Sequence, residues 1–395
     1  MEIHQILGII AIAIALVFEF INGFHDTANA CATVVETKAL GKWMAISLSG
    51  IFNFIGAVTV GTAVAVVITK IIPANQVNLC MVTAALLGAS IWNLFTWYKA
   101  LPVSSSHCLI GSLFGVGVAA VSSTTSIAIV LVLCAVAAGW MLYTARNGKG
   151  SEAAGLVLSG IGLCGLTYVC YAGQHGVSWK ELWPVFLALL ISPVVGFVNG
   201  MLLTAVALKA SGRTEEHADD PETKHPRLWR WLQIFSSMGV SFAHGTNDAQ
   251  KGMGIITLIL ATCFASQGFT VGHVPWQVMV ACAFTLMCGT FLGGGRVMHT
   301  VGKKVSRKQL DYAHGFGAET STFIVLLLFT FLGKPVSTTH CHIGSVAGGS
   351  VPGHGLRAVN RETLWDIVKA WVTTLPAAFI LSFTIFVLLR LVFPF

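Results

Sequence analysis

Pro102-Val-Ser-Ser-Ser-His-Cys-Leu-Ile-Gly-Ser112 returns later in the chain as Pro335-Val-Ser-Thr-Thr-His-Cys-His-Ile-Gly-Ser345. Eight of the eleven aligned positions are identical, and two more exchange Ser for Thr. Both copies stand in very apolar surroundings. The chain therefore reads as a membrane protein of two related halves, each with a polar interruption at membrane depth, which is the sequence pattern of a transporter.

Composition fixes the class. The 395 residues are 55% apolar and only 10% charged, with a mean hydropathy of +0.78; a soluble domain carries roughly 25% charged residues. An all-α polytopic membrane protein is expected. The net charge of +7 does not point to nucleic acid, because no basic residues interleave with aromatic ones outside the loops that flank apolar segments. The ten cysteines form no CxxC pair and sit mostly in apolar runs, so they read as small buried residues rather than a disulfide framework or a structural metal site. The apolar run from Ile6 to Ile21 lacks a basic leader, having Glu2 before it and Glu19 within it, and reads as a retained first helix.

About twenty apolar residues per crossing give segments near 5–37, 43–71, 79–98, 102–121, 124–145, 154–172, 182–208, 231–264, 276–298, 309–332, 335–351 and 364–391. Lys- and Arg-rich loops at 38–42, 146–152, 209–230, 296–308 and 352–363, with the turn at 99–101, belong in the cytoplasm. This assignment gives about twelve crossings with both termini extracytoplasmic. It places Pro102 after a cytoplasmic turn and Pro335 after an external one, so the repeats are inverted, with broken or re-entrant helices at the polar interruptions. The halves are 1–208 and 231–395, joined by a hydrophilic cytoplasmic linker at 209–230.

A second pair of polar breaks in the apolar spans is expected at Asn22-Gly-Phe-His-Asp-Thr-Ala-Asn29 and His244-Gly-Thr-Asn-Asp-Ala-Gln-Lys251. In each a Gly precedes an Asp by three residues, Gly23 before Asp26 and Gly245 before Asp248. An ionised carboxylate in an apolar span costs several kcal/mol unless it meets a cavity, a cation or a partner. Pro followed by hydroxyl residues is a helix-start signal. Ser104, Ser105 and Ser106, with Ser337, Thr338 and Thr339, therefore offer hydroxyls beside unpaired backbone N–H groups that suit an oxyanion. Asp26, Asn29, Asn247 and Asp248 supply oxygen ligands for a hard cation or a transferable proton. The implied chemistry is cation-coupled anion transport.

Taken together, GFHDTANA, HGTNDAQKG and the paired PVSSSH and PVSTTH resemble the signatures of the inorganic phosphate transporter (PiT) family, across both halves and in the right order. The resemblance implies a symporter of inorganic phosphate with sodium or protons, with twelve spans in inverted repeats, often a homodimer, in the bacterial plasma (inner) membrane. It assigns Asp26, Asn29 and Asp248 to the coupling ion and the two hydroxyl clusters to phosphate. No cofactor beyond the coupling ion, H+ or Na+, is implied.

Sodium-coupled members resemble Asn-Asp-x-Ala-Asn in both repeats, whereas this chain has His25 before Asp26 and Gln250-Lys251 after Asp248. Lys251 falls on the same helical face as Asp248 and weakens a sodium site, which favours protons. The His-Asp form resembles the low-affinity bacterial transporters, which take phosphate with protons and at times as a neutral metal–phosphate complex. Candidates to line the cavity are Glu19, two turns before Asp26, Glu319, and His107 and His340 after the hydroxyl clusters, with His25, Gln250 and Lys251. The rival functions are a sodium-coupled phosphate symporter, a sulfate transporter on the same scaffold, an intramembrane serine hydrolase suggested by Ser beside His, and a passive anion channel. A duplicated motif argues against an enzyme, for which one nucleophile suffices.

Overall fold

The structure, a computed structural model, describes residues 3–72, 77–122, 176–212, 226–293 and 295–392. Within lipid every backbone N–H and C=O needs an internal partner, and this chain meets that demand with helices. Among the described residues the β structure is one isolated bridge, Ser306 to Val359. The first half has α1 (Ile3–Glu36), α2 (Lys42–Thr59), α3 (Ala63–Thr69), α4 (Leu79–Tyr98), α5 (Ser105–Val121) and α6 (Trp179–Ala210). The second has α7 (Pro226–Cys263), α8 (Trp276–Leu292), α9 (Gly295–His299, continued as a π turn over Thr300–Lys304), α10 (Tyr312–Phe331), α11 (Thr338–Gly349) and α12 (Arg361–Val392).

Five of these helices are long and apolar enough to cross a membrane, or up to seven if each bent pair counts as one span. The expected segments 124–145 and 154–172, and most of the linker, lie outside the described residues. Although α7 has 38 residues, it is too polar to read as a span by composition because it carries His244 to Lys251. With 12 residues α11 rises only about 18 Å, well short of a hydrocarbon core about 30 Å thick.

The repeat is visible residue by residue. Asn78 and Asp311 each cap a helix start, accepting from Met81 N and His314 N. Ala100 and Gly333 each turn the chain with positive φ, 56° and 64°. Ser104 and Ser337 then cap α5 and α11, and Pro193 and Pro376 recur inside the two 32-residue helices α6 and α12. The halves interlock, because α6 packs on α10 and α11 while α12 packs on α4 and α5. Helices α1 and α7 run antiparallel along their length: Gly8 lies against Cys263, Glu19 meets Gly252, and Thr37 meets Gln233.

Glycine sets how close these helices come. A Cβ on Gly23 would collide with the Leu286 carbonyl of α8, and one on Gly289 with the Phe20 carbonyl of α1. The inverted partner pair repeats the device: Gly245 faces the Asn53 carbonyl, and Gly56 faces the Phe242 carbonyl. The glycine three residues before each aspartate therefore lets a helix lie backbone to backbone on its neighbour, a small-residue contact of the kind used between membrane helices.

Two expectations change. The stretches 22–29 and 244–251 are not breaks, since α1 and α7 run through them without interruption. Their polar residues recur at helical spacing and face inward, so helix geometry and polarity are compatible. Nor do Pro102 and Pro335 follow turns at opposite faces. Ser106 Oγ donates to Val336 O at 2.7 Å and the rings of His107 and His340 are 4.4 Å apart, so the two hairpin tips meet at one depth. Counting basic residues assigns each turn to a face and cannot register a turn that stops inside.

Candidate functional site

Where the hairpin tips meet, the middles of α1 and α7 pass beside them. Ser105, the first residue of α5, lies with its Oγ 3.3 Å from Asp26 Oδ2 and 3.3 Å from Asp248 Oδ2. One hydroxyl proton serves one carboxylate at a time, so Ser105 bridges them as an alternating donor. Lys251 Nζ donates to Ser105 Oγ at 2.9 Å and to Asp248 Oδ2 at 2.6 Å. This lysine is among the largest fully buried side chains of the protein. A buried ammonium of this kind requires a charged partner, which Asp248 provides.

On the α11 side Thr339 Oγ1 donates to Asp26 Oδ1 at 3.3 Å, and Asn29 Nδ2 donates to Thr339 Oγ1 at 2.9 Å and more loosely to Thr338 Oγ1 at 3.5 Å. His25 Nδ1 lies 2.8 Å from Asp26 Oδ1. His244 Nε2 stands 3.5 Å from Asp248 Oδ2 and 3.8 Å from Asp26 Oδ2, while its Nδ1 meets Asn53 Oδ1 at 3.1 Å. Two helix N-termini, two carboxylates, one ammonium and two imidazoles thus converge in a space closed to solvent. The starts of α5 and α11 present positive dipole ends and suit an anion.

The hydroxyl clusters divide by role. Ser104 and Ser337 accept from His107 N and His340 N as helix caps, and Ser106 is spent on the Val336 carbonyl. Ser105, Thr338 and Thr339 are the hydroxyls that reach the aspartates and Asn29. Asn247 holds the second tip instead, donating to Thr330 Oγ1 at 2.9 Å and accepting from Val336 N at 3.4 Å. Gln250 turns away and its Oε1 accepts from Val64 N and Ala65 N, capping α3. The ring of His340 stacks on Trp371 at 3.7 Å, and His107 and His340 are among the residues lining an apolar cavity of about 700 Å³ bounded by α6, α11 and α12. Glu19 Oε1 accepts from Gly252 N at 2.7 Å. Glu319 lies outside the aspartate group and accepts from Ser236 Oγ at 2.7 Å.

His244 and Asn53 join the site without having been singled out by sequence. The available signal was the spacing of four between His244 and Asp248, which puts both on one helical face. Asn53 lies on a separate helix and gave none. Asp26, His244 and Asp248 offer ligand atoms within 4.8 Å of one another, an oxygen and nitrogen donor set able to hold a divalent cation. As for the hydrolase reading, Ser106 and His107 point to different partners and do not form a nucleophile–base pair.

The fold matches a solved structure described as the sodium-dependent phosphate transporter, with a TM-score of 0.74 over 98% of this chain and 100% of that one at 23% identity. The chain is 34% identical over its full length to the full length of a probable low-affinity inorganic phosphate transporter of Bacillus subtilis. A protein of the same description from Mycobacterium tuberculosis is 36% identical over 96% of this chain and 76% of its own. The low-affinity inorganic phosphate transporter PitA of Escherichia coli K12 is 26% identical over 97% and 96%. By their names these relatives are transporters and not enzymes. A family model for the phosphate transporter family matches residues 22–382, and with relatives of this identity along its whole length the chain belongs to that family.

Proposed function

We propose that this protein imports inorganic phosphate together with protons, by alternating exposure of the Asp26–Asp248 site to the two faces of the membrane. The observation that carries the reading is Ser105, whose hydroxyl lies within reach of both carboxylates while Lys251 holds it. Two carboxylates against one ammonium leave the site negative before any anion enters. A phosphate dianion added there at membrane depth requires compensating positive charge, because uncompensated charge in this environment costs several kcal/mol. The coupling cation, bound at the Asp26–Asp248 pair, supplies it. The anion is held by the starts of α5 and α11 through Ser105, Thr338 and Thr339, and Asp26, Asn29 and Asp248 serve the coupling ion.

In the same reading, α1 and α7 rock against the hairpins to switch access, both termini are extracytoplasmic, and the protein assembles as a homodimer. The Asp26, His244 and Asp248 donor set favours a second form of cargo, phosphate as a complex with a divalent metal. Asp26→Asn and Asp248→Asn test the assignment in reconstituted vesicles. Each variant should insert normally and lose gradient-driven phosphate uptake, and wild-type uptake in either would refute the role of the pair.

A further inference from the structure

Helices α6 and α12 pack on different hairpins, and the cavity of about 700 Å³ between them takes His107 and His340 into its lining but neither aspartate. Its walls keep one register. Pro193 and Phe197 of α6 lie against Gly344 and Gly348 of α11, so these two helices run alongside each other, and Trp371 of α12 meets them at the level of His340. Along α12 the lining residues extend from Leu364 to Leu375, a rise of about 16 Å. That is roughly half of a hydrocarbon core about 30 Å thick, the depth of one leaflet.

The groove opens sideways. Leu190 and Val194 on α6 and Val372 on α12 line it and are 72%, 62% and 66% exposed, so its neighbour at membrane depth is the hydrocarbon of the bilayer. Water does not suit it. The polar side chains of the lining are His107, His340 and Trp371, and Trp371 Nε1 is already spent on Pro102 O at 3.0 Å. A buried water needs about two to four polar partners, and two imidazoles leave most of this volume without them. Toward the start of α12 the lining stripe continues through Arg361, three residues before Leu364, with Arg357 just ahead of the helix, and both are exposed. The acidic residues nearby fall on another stripe, Glu362 with Asp366, where Asp366 accepts from Lys369 Nζ at 3.1 Å. An apolar trough one leaflet deep thus ends at basic side chains.

We infer that this groove binds one acyl chain of an anionic phospholipid, with the lipid headgroup at Arg361 and the end of the chain against the stacked rings of Trp371 and His340. The site is independent of how phosphate uptake is coupled. The charge at the outer end matches an anionic headgroup, and the length and lining of the trough match a single chain of the same leaflet. The bound chain fills the space beside both hairpin starts, because Trp371 stacks on His340 of one and holds Pro102 O of the other.

Native mass spectrometry of the purified protein, titrated in detergent with phosphatidylglycerol or phosphatidylcholine, reads the site. Wild type should keep one lipid per chain through delipidation, with phosphatidylglycerol preferred about fivefold, the effect of one basic residue near an anionic headgroup. Val194→Trp fills the trough and should lose that lipid, whereas Leu202→Trp, at an exposed position of α6 outside the lining, should keep it. Arg361→Gln should keep the lipid and lose the preference. Melting curves check that each variant is folded, and Val372→Trp fills the trough from the facing helix should Val194→Trp fail to fold. No retained lipid in wild type, unchanged retention in the filled variant, or equal loss in Leu202→Trp overturns the site. A preference that survives Arg361→Gln overturns the headgroup placement. Efficient disulfide formation between two Val194→Cys chains in vesicles would put a second copy of the chain in the groove and overturn the lipid as its occupant.

Discussion

Asn29 and Lys251 occupy equivalent positions in the two repeats, each three residues after an aspartate, and each donates to the hairpin start of the opposite half. Asn29 Nδ2 reaches Thr339 Oγ1 at 2.9 Å, and Lys251 Nζ reaches Ser105 Oγ at 2.9 Å. A neutral amide stands on one side of the site and a fixed positive charge on the other. The protein thus carries within its own chain a cation that a symmetric site would have to recruit.

Lys251→Asn makes the two sides alike. Removing one partner of a buried ion pair costs about 3–5 kcal/mol, so sodium-free uptake should fall strongly, and added sodium should restore part of it by taking the place of the ammonium. Uptake measured with and without sodium checks this. Unchanged sodium-free uptake would show that Lys251 does not supply the compensating charge.

The division among hydroxyls predicts different defects from similar substitutions. Ser105→Ala should raise the KM for phosphate, because its hydroxyl reaches both aspartates. Ser104→Ala and Ser337→Ala should lower thermal stability by about 1 kcal/mol each, the value of a helix cap, with KM little changed. Paired KM and melting measurements on the three variants distinguish the roles.

Gly245→Ala places a methyl group against the Asn53 carbonyl and should destabilise the protein by about 1–3 kcal/mol or prevent insertion, as overpacking does. Gly41→Ala, with open space around it, is the control and should stay within about 0.5 kcal/mol of wild type. Melting in detergent compares them.

Ala100 adopts φ 56° at the turn where the other repeat has Gly333. A left-handed conformation costs a residue with a Cβ roughly 1–2 kcal/mol. Ala100→Gly should therefore raise the melting temperature, an unusual sign for a substitution to glycine, and a fall would mean that the turn's strain is compensated by contacts of the methyl group.

Much of this was legible in the residues. The two hairpins could be read from Pro102 and Pro335 followed by hydroxyls, because proline and a cap together specify a helix start. The aspartates could be read from their cost in an apolar helix. What sequence could not supply were relationships across the chain. Gln250 looks like a cavity residue beside Lys251, yet it caps α3, which is far away in sequence. Polar residues at 22–29 suggested a break, but a helix tolerates them when they share one face. The meeting of Ser106 with Val336 placed both tips at one depth, where loop charges had placed them at opposite faces.

The most direct test of the account is labelled phosphate uptake into sodium-free vesicles with an acid-outside pH gradient, with and without a protonophore and excess unlabelled sulfate. Uptake that collapses with the protonophore and ignores sulfate is the predicted result. Uptake that waits for sodium would contradict the proton reading of His25 and Lys251, and suppression by sulfate would contradict phosphate as the preferred anion.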